Sequence, residues 1–131
     1  MQPIRVLVVD DSAHFRGHLN TFLNAEPDIV VIGEAGNGQD AVTQAAQLKP
    51  DVVLMDVRMP DLNGLEATRL LRAVHPDARV IMLSRYDVQE YRDEAVASGA
   101  NGYVVKRALF TELLPAIRGA VVSHTERDGK A

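Results

Sequence analysis

Five short, solidly apolar runs recur along the chain: Val6–Val9, Ile29–Ile32, Val52–Met55, Val80–Leu83 and Tyr103–Val105. Each is too short for a helix and lacks the alternation of a half-exposed strand, so each reads as a strand buried on both faces. Between and after them the apolar residues fall at helical spacing. Phe15, Leu19, Phe22 and Leu23 mark a first helix that Ser12 can cap. Ala41, Val42, Ala45, Ala46 and Leu48 mark a second, stopped by Lys49-Pro50-Asp51, and Leu65, Leu70, Leu71 and Val74 a third, led by Gly64 and stopped near His75-Pro76-Asp77. A fourth is expected from about Val88 to Ser98 with Gly99 as its left-handed cap, and Leu113, Leu114, Ile117 and Val121 mark the last. Gly33 to Gly38 reads as a turn-rich connection.

Strand and helix in strict alternation predict a parallel sheet with right-handed crossovers and helices on both faces, a doubly wound (βα)5 three-layer α/β sandwich. Pro115 falls inside the last helical pattern, so that helix either starts late, near Thr111, or is kinked. Residues 1–122 make one domain, and the polar stretch 123–131 reads as a frayed C-terminal tail or linker stub. With 47% hydrophobic and 24% charged residues over 131 positions, one core can be buried. No apolar stretch is long enough to span a membrane and no signal peptide is evident, so a cytoplasmic protein with no membrane partner is expected. The absence of cysteine excludes disulfides and thiolate sites. A net charge of −4 argues against a nucleic-acid footprint on this segment.

Four of the five strands end in a chemically capable group: Asp10 and Asp11 after the first, Asp56 after the third, Ser84 after the fourth and Lys106 after the fifth. Ligands of open α/β sheets bind outside the carboxyl ends of the strands, where these groups would converge. Strand order 2-1-3-4-5 fits, since it sets the aspartates on adjacent central strands and the long lysine at the edge. Three carboxylates in one pocket repel unless a cation joins them, and an all-oxygen donor set suits Mg²⁺. An ammonium, a hydroxyl and a carboxylate nucleophile complete what a phosphoryl group requires. Asp56, alone at a central strand end, is the candidate nucleophile.

The residues resemble those of a known family. Val8-Val9-Asp10-Asp11, Met55-Asp56-Val57-Arg58-Met59-Pro60 with Gly64, Leu83-Ser84, and Gly99-Ala100-Asn101-Gly102-Tyr103-Val104-Val105-Lys106 are similar, in order and spacing, to the motifs of bacterial two-component response regulator receiver domains. Ala35-Gly36-Asn37-Gly38 and Gly102 to Lys106 look most like receivers that precede a LuxR-type helix-turn-helix. The resemblance implies a flavodoxin-like fold and a phosphorelay role in which Asp56 accepts a phosphoryl group from a sensor histidine kinase or a small donor such as acetyl phosphate. It implies Mg²⁺ (or Mn²⁺) held by Asp11, Asp56 and the Arg58 carbonyl, with Asp10 acting through water. Lys106 would pair with the phosphoryl oxygens, Ser84 would hydrogen-bond one of them, and the Tyr103 rotamer would follow Ser84. The switch would alter an output surface or a homodimer contact.

Three positions depart from the family pattern. Arg107 stands where many receivers carry a proline on a cis bond, Arg85 where a small residue leaves the phosphoryl path open, and Arg58 at a position that tunes dephosphorylation. Arg58 and Arg85 are therefore expected to set phosphoryl lifetime. Two other functions compete: a phosphorylation-independent interaction module with a receiver fold, and a Mg²⁺-dependent aspartyl-phosphate phosphatase. Asp10-Asp11-Ser12 does not supply the Asp-x-Asp of haloacid dehalogenases, which weighs against the second. His14 and His18 have metal-ligand spacing but no evident third ligand, and read as a solvated helix face; His75 and His124 read as surface residues.

Overall fold

The structure is a computed structural model that describes residues 2–60 and 62–129, the backbone alone from 122. The apolar runs form β1 (Ile4–Val9), β2 (Ile29–Ala35), β3 (Val52–Asp56), β4 (Arg79–Ser84) and β5 (Gly102–Val105), interleaved with α1 (Ala13–Asn24), α2 (Gly38–Leu48), α3 (Gly64–Val74), α4 (Gln89–Ser98) and α5 (Leu109–Gly129). All four strand pairings are parallel and the order is β2-β1-β3-β4-β5, as the sequence predicts.

Alternate residues of each strand feed opposite cores. Leu7, Val9, Val53, Met55, Val80 and Met82 pack with Ala41, Ala45, Leu71 and Ala95 of α2, α3 and α4. Val6, Val8, Val52, Leu54, Ile81 and Leu83 pack with Leu19, Leu23, Leu113 and Ile117 of α1 and α5. This two-sided burial is why the strands are unbroken apolar runs.

The structure corrects one local expectation and decides between two alternatives at another. β2 does not turn at Gly33 but continues to Ala35. A Cβ at Gly33 would lie 2.8 Å from Gln44 Oε1 and 2.9 Å from Leu48 Cδ1, so the glycine admits α2 against the strand and makes no turn. Pairing slips between Val6 and Leu7, which face Val31 and Gly33, leaving Ile32 as the extra residue. α5 starts at Leu109, before the late start near Thr111, after a single 3₁₀ turn over Lys106–Ala108, and encloses Pro115. Its backbone runs helically through the polar stretch to Gly129; the side chain of His124 and residues 130–131 lie outside the described residues.

One guanidinium ties the lower edge of the sheet together. Arg72 of α3 donates to the carbonyl of Gly99 at 2.9 and 2.6 Å, to that of Pro76 at 3.2 Å, and to those of Ala78 and the Asn101 side chain. Asn101 Oδ1 also accepts from the Val80 N–H at 2.9 Å, so α3, β4 and the turn after α4 share one network. Arg72→Met, which keeps the stem and removes the fork, is expected to cost about 2–3 kcal/mol in urea unfolding, with little recovery in Arg72→Lys.

Candidate functional site

β1 and β3 stop where their apolar runs end, and the next groups are carboxylates. Asp10 and Asp56 are 1% and 6% exposed, while Asp11 on the adjoining turn faces solvent. One oxygen from each of the three lies within 4.8 Å of the others. Lys106, the first residue after β5, reaches across β4 and places Nζ 2.9 Å from Asp10 Oδ2 and 3.4 Å from Asp56 Oδ1. The same Nζ sits 4.3 Å from the centre of the Phe15 ring on α1, an aromatic floor that fixes the ammonium over the acids. These groups line an open cavity of roughly 460 Å³ that also takes in Ser84, Arg85 and the base of Arg58.

The acid turn is braced from behind. Asp10 Oδ1 accepts the Ser12 N–H at 2.9 Å, and Ser12 Oγ caps α1 by accepting the Phe15 N–H at 3.1 Å. Arg16, one turn into α1, donates to the Asp10 carbonyl at 2.6 Å and to Glu34 of β2 at 2.9 Å. Burial, then the negative charge of Asp10, push the Asp56 carboxyl up to about 6; Lys106 and the Arg58 backbone N–H only partly oppose this. A pocket that resists its own ionisation is matched to an additional positive charge. Three oxygen donors and no soft ligand fit a hard divalent cation, so the acidic cluster can hold one.

Ser84 and Tyr103 are joined through a residue the sequence analysis did not single out. Ser84 Oγ accepts the Tyr86 N–H at 3.1 Å, and Tyr103 Oη donates to the Tyr86 carbonyl at 2.6 Å. The Arg92 guanidinium lies 4.7 Å from the centre of the Tyr103 ring. Arg58 turns away from Asp56: its guanidinium stacks 5.0 Å from the centre of the Tyr86 ring, with Nη2 3.4 Å from Tyr91 Oη. Arg85 projects at the cavity rim, exposed and with no side-chain partner among the described residues. The structure thus brings Asp10, Asp11, Asp56, Ser84, Arg85 and Lys106 to one cavity and sets Tyr103 behind it. The missed neighbours, Phe15, Arg16, Tyr86 and Tyr91, carry no local motif; only the helical offset of Phe15 and Arg16 from Ser12 placed those two near the site.

A doubly wound sheet whose crevice gathers three carboxylates, a lysine and a serine defines a domain of the phosphoryl-receiving signalling class. The chain belongs to the response regulator receiver domain family, whose pattern it matches over residues 6–118. It is 42% identical over 117 residues to the uncharacterized transcriptional regulatory protein YxjL of Bacillus subtilis, covering 89% of this chain and 54% of that one. It is 37% identical over 128 residues to the DNA-binding transcriptional activator DevR/DosR of Mycobacterium tuberculosis, covering 98% and 59%. Among solved structures, the response regulator domain of Thermotoga maritima CheB superposes with a TM-score of 0.85 at 41% identity, covering 91% and 96%. A LuxR-family response regulator from Aurantimonas sp. SI85-9A1 superposes with 0.89 at 29%, covering 93% and 87%. The chain spans little more than half the length of the curated relatives it matches. It is a receiver domain of a two-component system, and nothing in the comparisons favours the interaction-module or phosphatase readings. Among the described residues, no helix is long and apolar enough to cross a membrane.

Proposed function

We propose that Asp56 is the phosphoryl acceptor, that the donor is the phosphohistidine of a sensor histidine kinase, and that Asp10, Asp11, Asp56 and the Arg58 carbonyl hold Mg²⁺ or Mn²⁺. The observation that carries this reading is Lys106 spanning Asp10 and Asp56 beside a third carboxylate. When bound, the ion supplies positive charge to the phosphoryl oxygens and relieves the repulsion among the acids. An Asp56 oxygen attacks phosphorus, the bond from phosphorus to the donor nitrogen breaks, and the imidazole leaves with the bond pair. Lys106 then exchanges its bond to Asp56 for one to a phosphoryl oxygen while keeping Asp10. Ser84 Oγ accepts the Tyr86 N–H, and no acceptor among the described residues takes its own proton, so that proton is available to the new phosphoryl group. Such a bond pulls on the Tyr86 peptide, which also holds Tyr103 Oη.

The greater length of the relatives supports residues 123–131 as the start of a linker to an output domain, which would make the whole protein a transcription regulator. Homodimerisation through the switched surface and a cytoplasmic location belong to the same reading. Incubation with Mg²⁺ and acetyl phosphate tests it: one acid-stable, base-labile phosphate per chain is expected. Rapid multiple turnover would instead indicate a hydrolase, and no adduct an interaction module.

Arg58 and Arg85 are proposed to set how long the phosphoryl group survives. Arg85 at the rim can shield the acyl phosphate from water, and Arg58 can leave its tyrosine stack for the dianion. Arg58→Asn and Arg85→Ala are expected to change the phosphoryl half-life severalfold, followed by loss of label in Mg²⁺ after acetyl phosphate is removed. Three equal half-lives would sink the idea.

A further inference from the structure

His14 and His18 lie one turn apart on the exposed face of α1, outside the acidic cavity. Their Nε2 atoms are 3.0 Å apart, and the rings stand nearly perpendicular, at 85° with centroids 4.4 Å apart. Two neutral imidazoles hold that approach when one carries its proton on Nε2 and the other on Nδ1, giving an N–H···N bond; two N–H groups or two lone pairs would repel. The same separation is that of two nitrogens sharing one metal ion. With metal–nitrogen bonds of about 2.1 Å, adjacent octahedral positions place the nitrogens about 3.0 Å apart and tetrahedral ones about 3.4 Å.

We propose that His14 and His18 form a chelating site for a borderline divalent transition ion of the Ni²⁺, Cu²⁺ and Zn²⁺ class, with water in the remaining positions. Imidazole nitrogen suits these ions, whereas Mg²⁺ keeps to oxygen, so donor chemistry separates this site from the carboxylate pocket. The helix fixes both Cα atoms and the two Nε2 atoms already lie together, so chelation demands little further ordering. On binding, the proton on Nε2 of one ring passes to its own Nδ1; both Nε2 lone pairs then go to the ion, and the charge on the two rings is unchanged. The ion staples the first turns of α1, which also carry Phe15 and Arg16 against the acid site.

Titration calorimetry with Ni²⁺ at neutral pH, in excess Mg²⁺ to occupy the carboxylates, tests this on the full chain. One Ni²⁺ per chain is expected, with a Ni²⁺-dependent rise in melting temperature. His14→Gln and His18→Gln, both at solvent-facing positions, should each weaken binding at least tenfold and abolish the thermal shift, while His75→Gln should leave both intact. Wild-type affinity in either α1 variant, or a loss in His75→Gln as large as theirs, would overturn the proposal.

Discussion

Asp56→Asn is expected to abolish covalent labelling by acetyl phosphate and, without divalent cations, to make the fold more stable than the wild type. The amide cannot form an acyl phosphate, so the first effect is all-or-none. The second follows from the charge the pocket carries. Burial and Asp10 raise the Asp56 carboxyl from the ordinary 3.8 to about 6, so the folded state holds a proton more tightly than the unfolded chain does. The contribution of Asp56 to stability is therefore greatest below about pH 4, falls as pH rises through about 6, and stays low above it. The full shift corresponds to about 3 kcal/mol, and solvent at the open mouth reduces this to about 1–2 kcal/mol. Urea unfolding in EDTA at pH 7.5 and pH 4 reads it: the gain in Asp56→Asn should be present at the higher pH and vanish at the lower. Equal stability of the two proteins at pH 7.5 would show that the repulsion does not act.

Gly64→Ala is expected to be the most destabilising single-methyl change at this end of the sheet. A Cβ at Gly64 would lie 2.1 Å from the backbone oxygen of Asp56 and 3.0 Å from Met82 Cε. The Gly64 N–H is meanwhile tied to the Val57 carbonyl at 2.9 Å, so α3 cannot retreat without losing that bond. Strand and helix must part, at a cost of about 3 kcal/mol or more, and Asp56 moves with the strand end. Urea unfolding measures the loss, and acetyl phosphate labelling of the folded fraction should fall with it. Gly17→Ala on α1 is the matched control: a Cβ there meets nothing within 4 Å, and the change should add about 0.5–1 kcal/mol of stability.

The strand order and the convergence of Asp10, Asp56 and Lys106 were legible in the sequence because one physical rule covers them all: a buried run ends where its first charged residue needs water or a partner. Gly33 was misread because a glycine required by the approach of α2 looks, in one dimension, like a glycine required by a turn. The start of α5 was obscured by Pro115, whose local preference is overridden by the packing of Leu109, Leu113 and Ile117. The direction of Arg58 could not be read at all. Its partner Tyr91 is 33 positions away, and only the folded chain brings a solvent-facing arginine onto that helix. Arg16 is the same kind of omission: its hydrogen bond goes to a backbone carbonyl, a group every residue has and no motif marks.

The chain contains three tyrosines and no tryptophan. All three line one strip beside the cavity: Tyr86 under the Arg58 guanidinium, Tyr91 edge-on to Tyr86 at 5.4 Å, and Tyr103 bonded to the Tyr86 carbonyl. The tyrosine emission of this domain thus originates beside its acid pocket, within reach of a movement of Arg58 or Ser84. Phosphorylation of Asp56 is therefore expected to change tyrosine emission, which would allow the reaction to be followed in real time with no dye and no label.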